Sequence, residues 1–339
     1  MEIREVTPTE PDLFAAWADT MRTAYTHERQ GVWWSSIEAL TTSFANPSEF
    51  YRRIAAVALA GDLVVGGVEL GIPLQDNTDS LSVELGVLPS ERHRGHGAAL
   101  ADWVRERARQ HNRTLIEAEV NVPAGQSFEE SAGGRFASAH GMVTANVEDR
   151  FLLALPYDEG ALQLHEAALP LTSDEVVSWA GLTPEEFLEP LARLKTQMNQ
   201  DVPTGQLSRA AVAVDVDRLL NNQERMHDQG WVSVMSLALA DGEPVGYTEV
   251  VVSRGEPEFV LQEDTLVLPE HRGRRLGMRL KCANLRHLMA LPHELVGRRQ
   301  WLQTYTAQSN TPMQRTNEEF GFVKADEMHE CEGSITHEA

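Results

Sequence analysis

Two cysteines, Cys282 and Cys331, are all that 339 residues contain. That is too few for a disulfide scaffold, and neither sits at metal-ligand spacing. Basic residues are also scarce. Lys and Arg number 29 against 51 Asp and Glu, for a net charge of -22. This excludes a general nucleic-acid binder, which needs basic surface against phosphate. No apolar run is long enough to span a bilayer. Met1–Thr9 carries charges and lacks the apolar core of a signal peptide. A soluble cytoplasmic protein without metal, nucleic acid or membrane partner is expected. The acidic field either keeps the chain in solution or concentrates cationic substrates such as amines.

What is present is a repeat at a spacing of 180 residues. Val87-Leu88-Pro89 with Arg92 returns as Val267-Leu268-Pro269 with Arg272. Gly97 returns as Gly277, Gly66 as Gly246, Gly141 as Gly321, and Glu84 has its counterpart in Asp264. Two copies of one domain are expected, at 1–156 and 175–339, with 157–174 as linker.

Within each copy the pattern predicts an α/β fold with a mixed sheet and helices on both faces. In the first copy strands are expected at 2–7, 54–60, 63–70, 81–87, 114–120 and 150–155. Helices are expected at 12–30, 36–44, 97–110 and 128–140. In the second copy the strands are 176–179, 231–239, 245–252, 261–267 and 301–306. Its helices are 184–199, 214–228, 276–289 and 312–320. Gly61-Asp62 and Asp241-Gly242 read as hairpin turns, and Gly321 as the residue closing a helix.

Between the strand ending at Val87 and the helix from Gly97 lies Arg92-His93-Arg94-Gly95-His96-Gly97-Ala98. Glycines let backbone N–H groups converge on an anion. The following helix adds its positive end, and Arg92 and Arg94 add charge-assisted bonds to phosphate oxygens. Arg272-Gly273-Arg274-Arg275-Leu276-Gly277 repeats the turn, with Arg275 where the first copy has Gly95. A non-glycine fits there if its φ is negative. It then adds charge for phosphate or fills the cleft between the central strands. His93, His96 and His271 are expected as phosphate or solvent contacts, since no ligand cluster supports a metal.

Arg92-x-x-Gly95-x-Gly97 resembles the coenzyme A diphosphate motif of the GNAT superfamily of N-acyltransferases. Asn310-x-x-Met313…Glu319-Phe320-Gly321-Phe322 is similar to that family's later motif. His271–Gly277 and Asn199…Pro203-Thr204-Gly205 resemble the actinobacterial tandem-GNAT group related to mycothiol synthase. The resemblance implies acetyl-CoA as co-substrate and a small-molecule amine acceptor, attacked directly without a covalent enzyme intermediate. It implies coenzyme contacts from Val87, Arg92, Arg94, Gly95, His96, Gly97 and Ala98. In the second copy these are Val267, Arg272, Gly273, Arg274, Arg275, Leu276, Gly277 and Asn310. Asn310 equally suits a helix cap. The family's usual tyrosine is missing, because Ala137 and Asn317 stand at its two positions.

An ammonium must lose a proton before it attacks a thioester, and a carboxylate in the cleft can take it. Glu84 and Asp264 are the candidates, as catalytic bases or as solvated strand residues. Backbone N–H groups at Val87 and Val267 can polarise the thioester carbonyl. Tyr305 and Tyr247 are candidates to protonate the thiolate, with ordinary core tyrosines as the competing reading. Trp33-Trp34 either lines a substrate pocket or packs between domains. Met198, Asn199 and Asp201 shape the acceptor site by resemblance. The first copy has the cleaner phosphate turn. The fuller late motif points to the second as the working half. A non-catalytic acyl-CoA sensor is the alternative. The acceptor's identity and the oligomeric state stay open.

Overall fold

The computed structural model describes residues 1–335, and two compact units divide them. Unit 1 comprises 1–149, 204–210 and the chain from Ala325 onward, and unit 2 comprises 150–203 and 211–324.

Unit 1 begins with β1 (Glu2–Val6), α1 (Pro11–Thr26) and α2 (Ile37–Ala45). Pro11 opens α1 because its missing N–H costs nothing in a first turn. Then follow β2 (Tyr51–Ala60), β3 (Leu63–Pro73), β4 (Ser80–Val87) and α3 (His96–Gln110). β5 (Leu115–Val122), α4 (Ala132–Ala139) and β6 (Val143–Ala154) come next. The sheet order is β1-β2-β3-β4-β5-β12-β6, where β12 is Val323–Ser334. Neighbours from β1 to β4 run antiparallel, β4 and β5 parallel, and β5 and β12 antiparallel.

Alternation along β2 divides the core into two layers. Ala55 and Val57 meet Phe14, Trp17 and Met21 of α1. Ala56 and Ala58 meet Leu100 and Val104 of α3. Trp17 lies so close to β3 that a Cβ on Gly67 would come within 2.8 Å of its ring. Its indole N–H donates to the Val68 carbonyl at 3.2 Å.

Unit 2 takes up the second half of β6, then α5 (Glu159–Ala167), β7 (Glu175–Ala180), α6 (Glu185–Asp201) and α7 (Val216–Asp228). β8 (Trp231–Ala240), β9 (Glu243–Ser253), β10 (Phe259–Val267) and α8 (Leu276–Met289) follow. α9 (His293–Val296), β11 (Trp301–Ala307) and α10 (Thr311–Phe320) complete it. Its order is β6-β11-β10-β9-β8-β7, with β10 and β11 parallel. Leu191 and Leu219 pack under Met235, Leu237 and Tyr247, and α8 covers the other face with Met278 and Leu285.

The repeat holds in three dimensions. Gly66 opposes Val87, and Gly246 opposes Val267. Matching irregularities fall at Ala58/Leu59 and Ala238/Leu239. Gly141 and Gly321 both have left-handed φ, 77° and 95°.

Several elements differ from expectation. α4 starts at Ala132 rather than Phe128, because Ser131 caps it by accepting from the Gly134 N–H. β6 starts seven residues before Arg150. α5 occupies the expected linker, capped by Asp158. β12 and the short α9 were not expected at all.

Candidate active site

In unit 1, β4 and β5 pair only from Ser80–Val83 to Leu115–Ala118, and beyond that they part. Leu88 donates its N–H to Val65 of β3 at 3.0 Å. Alternation along a strand then turns the N–H groups of Leu85 and Val87 toward the gap. Pro89 ends β4 in a single 3-10 turn, Pro89–Glu91.

The turn that follows has left-handed φ at His93 (63°) and Gly95 (86°). Such alternating backbone makes a concave nest of N–H groups. α3 then starts at His96, with no side chain capping it. The N–H groups of His96, Gly97 and Ala98 therefore stay available at the positive end of the helix. Arg92 braces the turn by donating from Nε to the Val87 carbonyl at 3.4 Å. Arg94 pairs with Glu91 at 3.0 Å and extends into solvent. His96 Nδ1 lies 3.0 Å from the Met1 sulfur.

From this turn a cleft of about 690 Å³ runs into the gap between the strands. Gly97, Ala101 and Arg105 of α3 form one wall, with Phe136 of α4 above Gly97. Tyr25 and Trp34 line the other end, their rings 5.2 Å apart. Trp34 thus faces the cleft and also packs against the α1 layer of unit 1.

Glu84 and Glu119 line the cleft floor on the two parted strands. Glu84 opposes Glu69 across β3–β4. Glu84 is exposed within the cleft; the protein mass around it pushes its carboxyl up, and the charges of Glu69 and Glu119 add to this while Arg53 opposes it. Glu69 is held by Arg53 at 2.6 Å. Glu84 has no hydrogen-bond partner among the described residues. Glu119, Arg105, Phe136 and Tyr25 escaped the sequence reading, because only the parting of the strands brings them to one cleft.

Unit 2 repeats the turn with a different filling. Left-handed φ falls at Gly273 (76°) and Arg275 (57°), the counterparts of His93 and Gly95. Each copy thus places its glycine at a different one of the two strained positions. A negative φ was the condition set for a non-glycine at Arg275, and it is not met. The sign is positive, because the nest fixes it. Nor does Arg275 fill the gap between the strands, since it pairs with Glu319 of α10. Arg272 donates to the Val267 carbonyl at 2.8 Å and pairs with Asp201. Arg274 grips Asp174 with contacts of 2.6 and 2.7 Å. Carboxylates thus hold all three arginines of the second turn. Leu276 is buried in the α8 packing, and Gly277 has open space around it.

β10 and β11 also part after Leu261 and Gln303. Here the space is filled. Gln262 bridges Lys281 and the Glu249 carbonyl, and Asn317 donates to Thr306. A void of about 10 Å³ remains beside Lys281 and Phe322. Asp264 lies in a register irregularity, accepts from the Tyr247 hydroxyl at 2.8 Å and has Lys195 at 3.6 Å. Tyr247 is fully buried, and its hydroxyl is pushed up by burial first and then by Asp264. Tyr305 is half-buried on β11, beyond the paired stretch. Asn310 caps α10, accepting from the Met313 N–H at 3.3 Å. Asn199 donates to the Val212 carbonyl at 2.7 Å.

Known proteins bear on this geometry. Residues 196–322 match the model of the acetyltransferase (GNAT) family. The structure is similar to a tandem GNAT protein from the clavulanic acid biosynthesis pathway, at 25% identity and a TM-score of 0.82. That likeness covers 100% of this chain and 99% of the other. A GCN5-related N-acetyltransferase from Sphaerobacter thermophilus is similar in fold, at 15% identity, TM-score 0.63 and coverage of 99% and 96%. A glucosamine N-acetyltransferase region of a fungal multi-domain GH3 beta-N-acetylglucosaminidase shares the fold at 13% identity and TM-score 0.63. It covers 98% of this chain and 38% of the fungal one. No curated protein matches significantly. Residues 196–322 thus match the acetyltransferase (GNAT) family, and over its whole length the chain has a fold similar to that of a tandem GNAT protein.

Proposed function

We propose that the chain is an N-acyltransferase moving an acetyl group from acetyl-CoA to a primary amine, and that unit 1 holds the reaction. The observation that carries this is one continuous cleft of about 690 Å³ joining the 92–98 turn to Glu84. The second copy's fuller late motif and its family match point to unit 2, but its arginines and its gap are occupied from within. The turns at His271–Gly277 and the Asn199…Gly205 stretch support a relation to the mycothiol-synthase group.

The coenzyme diphosphate rests on the N–H groups of His96, Gly97 and Ala98, with Arg92 and Arg94 beside it. The acyl chain passes between β4 and β5, where the Val87 N–H polarises the thioester carbonyl. The amine enters from the Tyr25–Trp34 end. Glu84 removes its proton, and the neutral nitrogen attacks the carbonyl carbon. The tetrahedral intermediate collapses, the C–S bond breaks and the coenzyme leaves as thiolate, which takes up the proton that the attacking nitrogen loses on becoming an amide. An arriving ammonium favours the ionised carboxylate, so it draws Glu84 into its base form.

A test combines calorimetry with a thiol-release assay over an amine panel. Acetyl-CoA binding lost in Gly97→Trp but kept in Gly277→Trp assigns the site to unit 1. The reverse pattern overturns that assignment. A second reading, an acyl-CoA sensor without turnover, is favoured by Ala137 standing where the resembling family has tyrosine. Binding without thiol release for every amine supports it.

A further inference from the structure

The cleft of unit 1 does not end where the 92–98 turn meets the parted strands. It continues as a hollow along α3. Ala101 and Val104 of α3, Ile116 of β5, Met142 and Ile335 line it. Val104, Ile116 and Ile335 are buried members of the apolar layer between α3 and the sheet, so the hollow reaches into the core. Val83 and Leu85 pack on this same layer, and alternation along β4 puts Glu84 on the opposite face. From Ala98 to Arg105 the helix advances roughly 10 Å, at a rise of about 1.5 Å per residue. At the far end Arg105 meets His140 at 2.9 Å and Asp102 at 2.9 Å, so its charge is already answered.

Unit 2 shows that this fold can close the same space. At the repeat spacing Ala98 becomes Met278, Ala101 becomes Lys281 and Met142 becomes Phe322, each of them larger. Lys281, Asn284, Phe320 and Phe322 stand at the positions of Ala101, Val104, His140 and Met142, and the void they line is about 10 Å³. Unit 1 keeps small side chains on α3, and its cleft is about 690 Å³. Protein interiors are otherwise close-packed, and an unfilled apolar hollow forfeits contacts on every wall. A guest that supplies those contacts must itself be apolar. The hollow is continuous with the gap beside Val87, where the thioester is placed. A tail attached to the thioester carbonyl therefore enters it directly.

We propose, resting on the reading of unit 1 as the acyl-transfer site, that its donors extend beyond acetyl-CoA: the hollow along α3 holds a linear, saturated acyl tail of medium length. The carbonyl stays at the Val87 N–H, and the tail turns toward Val104 and Met142. The amine arrives on the face of Glu84, so tail and acceptor do not compete for space. The C–N bond forms and the thioester C–S bond breaks. Glu84 takes the ammonium proton, and the departing thiolate takes the second proton of the nitrogen. Arg105, held by Asp102 and His140, favours a tail without a terminal charge.

The full chain is titrated by calorimetry with coenzyme A, acetyl-CoA and octanoyl-CoA. Each methylene withdrawn from water strengthens binding by about fourfold, and ordering the tail takes part of this back. Octanoyl-CoA is expected to bind about tenfold or more tightly than acetyl-CoA. Val104→Phe and Met142→Phe narrow the hollow, the second with the residue unit 2 has there. Each is expected to erase the preference while acetyl-CoA still binds. Equal affinities for acetyl-CoA and octanoyl-CoA in the wild type overturn the proposal. So does a preference that survives in both variants while they bind acetyl-CoA. Acetyl-CoA binding reports folding of the variants, and if neither folds, the wild-type ratio decides alone. Failure of all three coenzymes to bind the wild type would defeat the acyltransferase reading and this proposal with it, so the two failures are distinguishable.

Discussion

Arg275 pairs with Glu319, tying the start of α8 to the last turn of α10. Their counterparts in the first copy are Gly95 and Ala139, which have no charge to join. One copy of the turn is clasped, and the other is open to a ligand.

Replacing both partners, Arg275→Gly with Glu319→Ala, removes the clasp and a left-handed non-glycine residue. The expected outcome is a coenzyme stoichiometry that stays at one per chain by calorimetry, because Gln262, Lys281 and Asn317 still fill the gap beyond the turn; two per chain would show that the clasp alone closes the second site. Arg275→Gly alone is expected to change stability by no more than about 1 kcal/mol. Relief of the left-handed strain offsets an exposed ion pair of similar size. Urea denaturation checks this.

Glu84→Gln is expected to lower the rate by about 10²–10⁴, the usual contribution of a positioned base, with acetyl-CoA affinity unchanged. The wild-type rate should rise with pH through about 8, because Glu84 must be ionised to accept a proton. Removing the like charge beside it, by Glu69→Gln, moves that limb to lower pH. A limb that stays in place excludes Glu84 as the titrating group.

Lys281 is buried in unit 2, and burial pushes its ammonium down to about 7. In the unfolded chain it holds its proton up to about 10.4. Between these values the unfolded chain binds more protons, so stability rises with pH and is lost as pH falls toward 7. Lys281→Met is expected to flatten this slope and to stabilise the protein at pH 7 by a few kcal/mol, on the order of 2–4. Chemical denaturation at pH 7 and pH 10 checks both.

Gly67→Ala places a methyl group 2.8 Å from Trp17 Cδ1. An overpacked core of this kind costs about 1–3 kcal/mol. The double change Trp17→Leu with Gly67→Ala is expected to recover part of it, because the smaller side chain vacates the space that the methyl group enters. Additive losses in a thermal melt would contradict this complementarity.

The fold was legible where local signals were strong. Val87-Leu88-Pro89 and its repeat announced strand, stop and turn, and the helix 276–289 was read to the residue. β12 was not legible. Its sequence carries Asp326 and Glu330 at buried positions, where pattern reading expects apolar side chains. Their partners, Arg29 and Arg209 with Asn146, are remote in sequence. Glu84 was legible from its spacing to the turn. Its neighbour Glu119 was not, since only strand order places it in the same cleft. The clasp on Arg275 depends on a side chain 44 positions away, which no local pattern encodes.

The last strand carries a consequence for how this protein can be dissected. β12 stands between β5 and β6 in the first unit, although it follows every other described element in the sequence. A fragment ending anywhere before Val323 therefore leaves the edge of β5 without its neighbour, beside the floor of the cleft. Neither residues 1–149 nor residues 150–324, expressed alone, contain an intact first unit. Synthesis must pass Ser334 before β5 gains its neighbour and the opening beside it a complete wall.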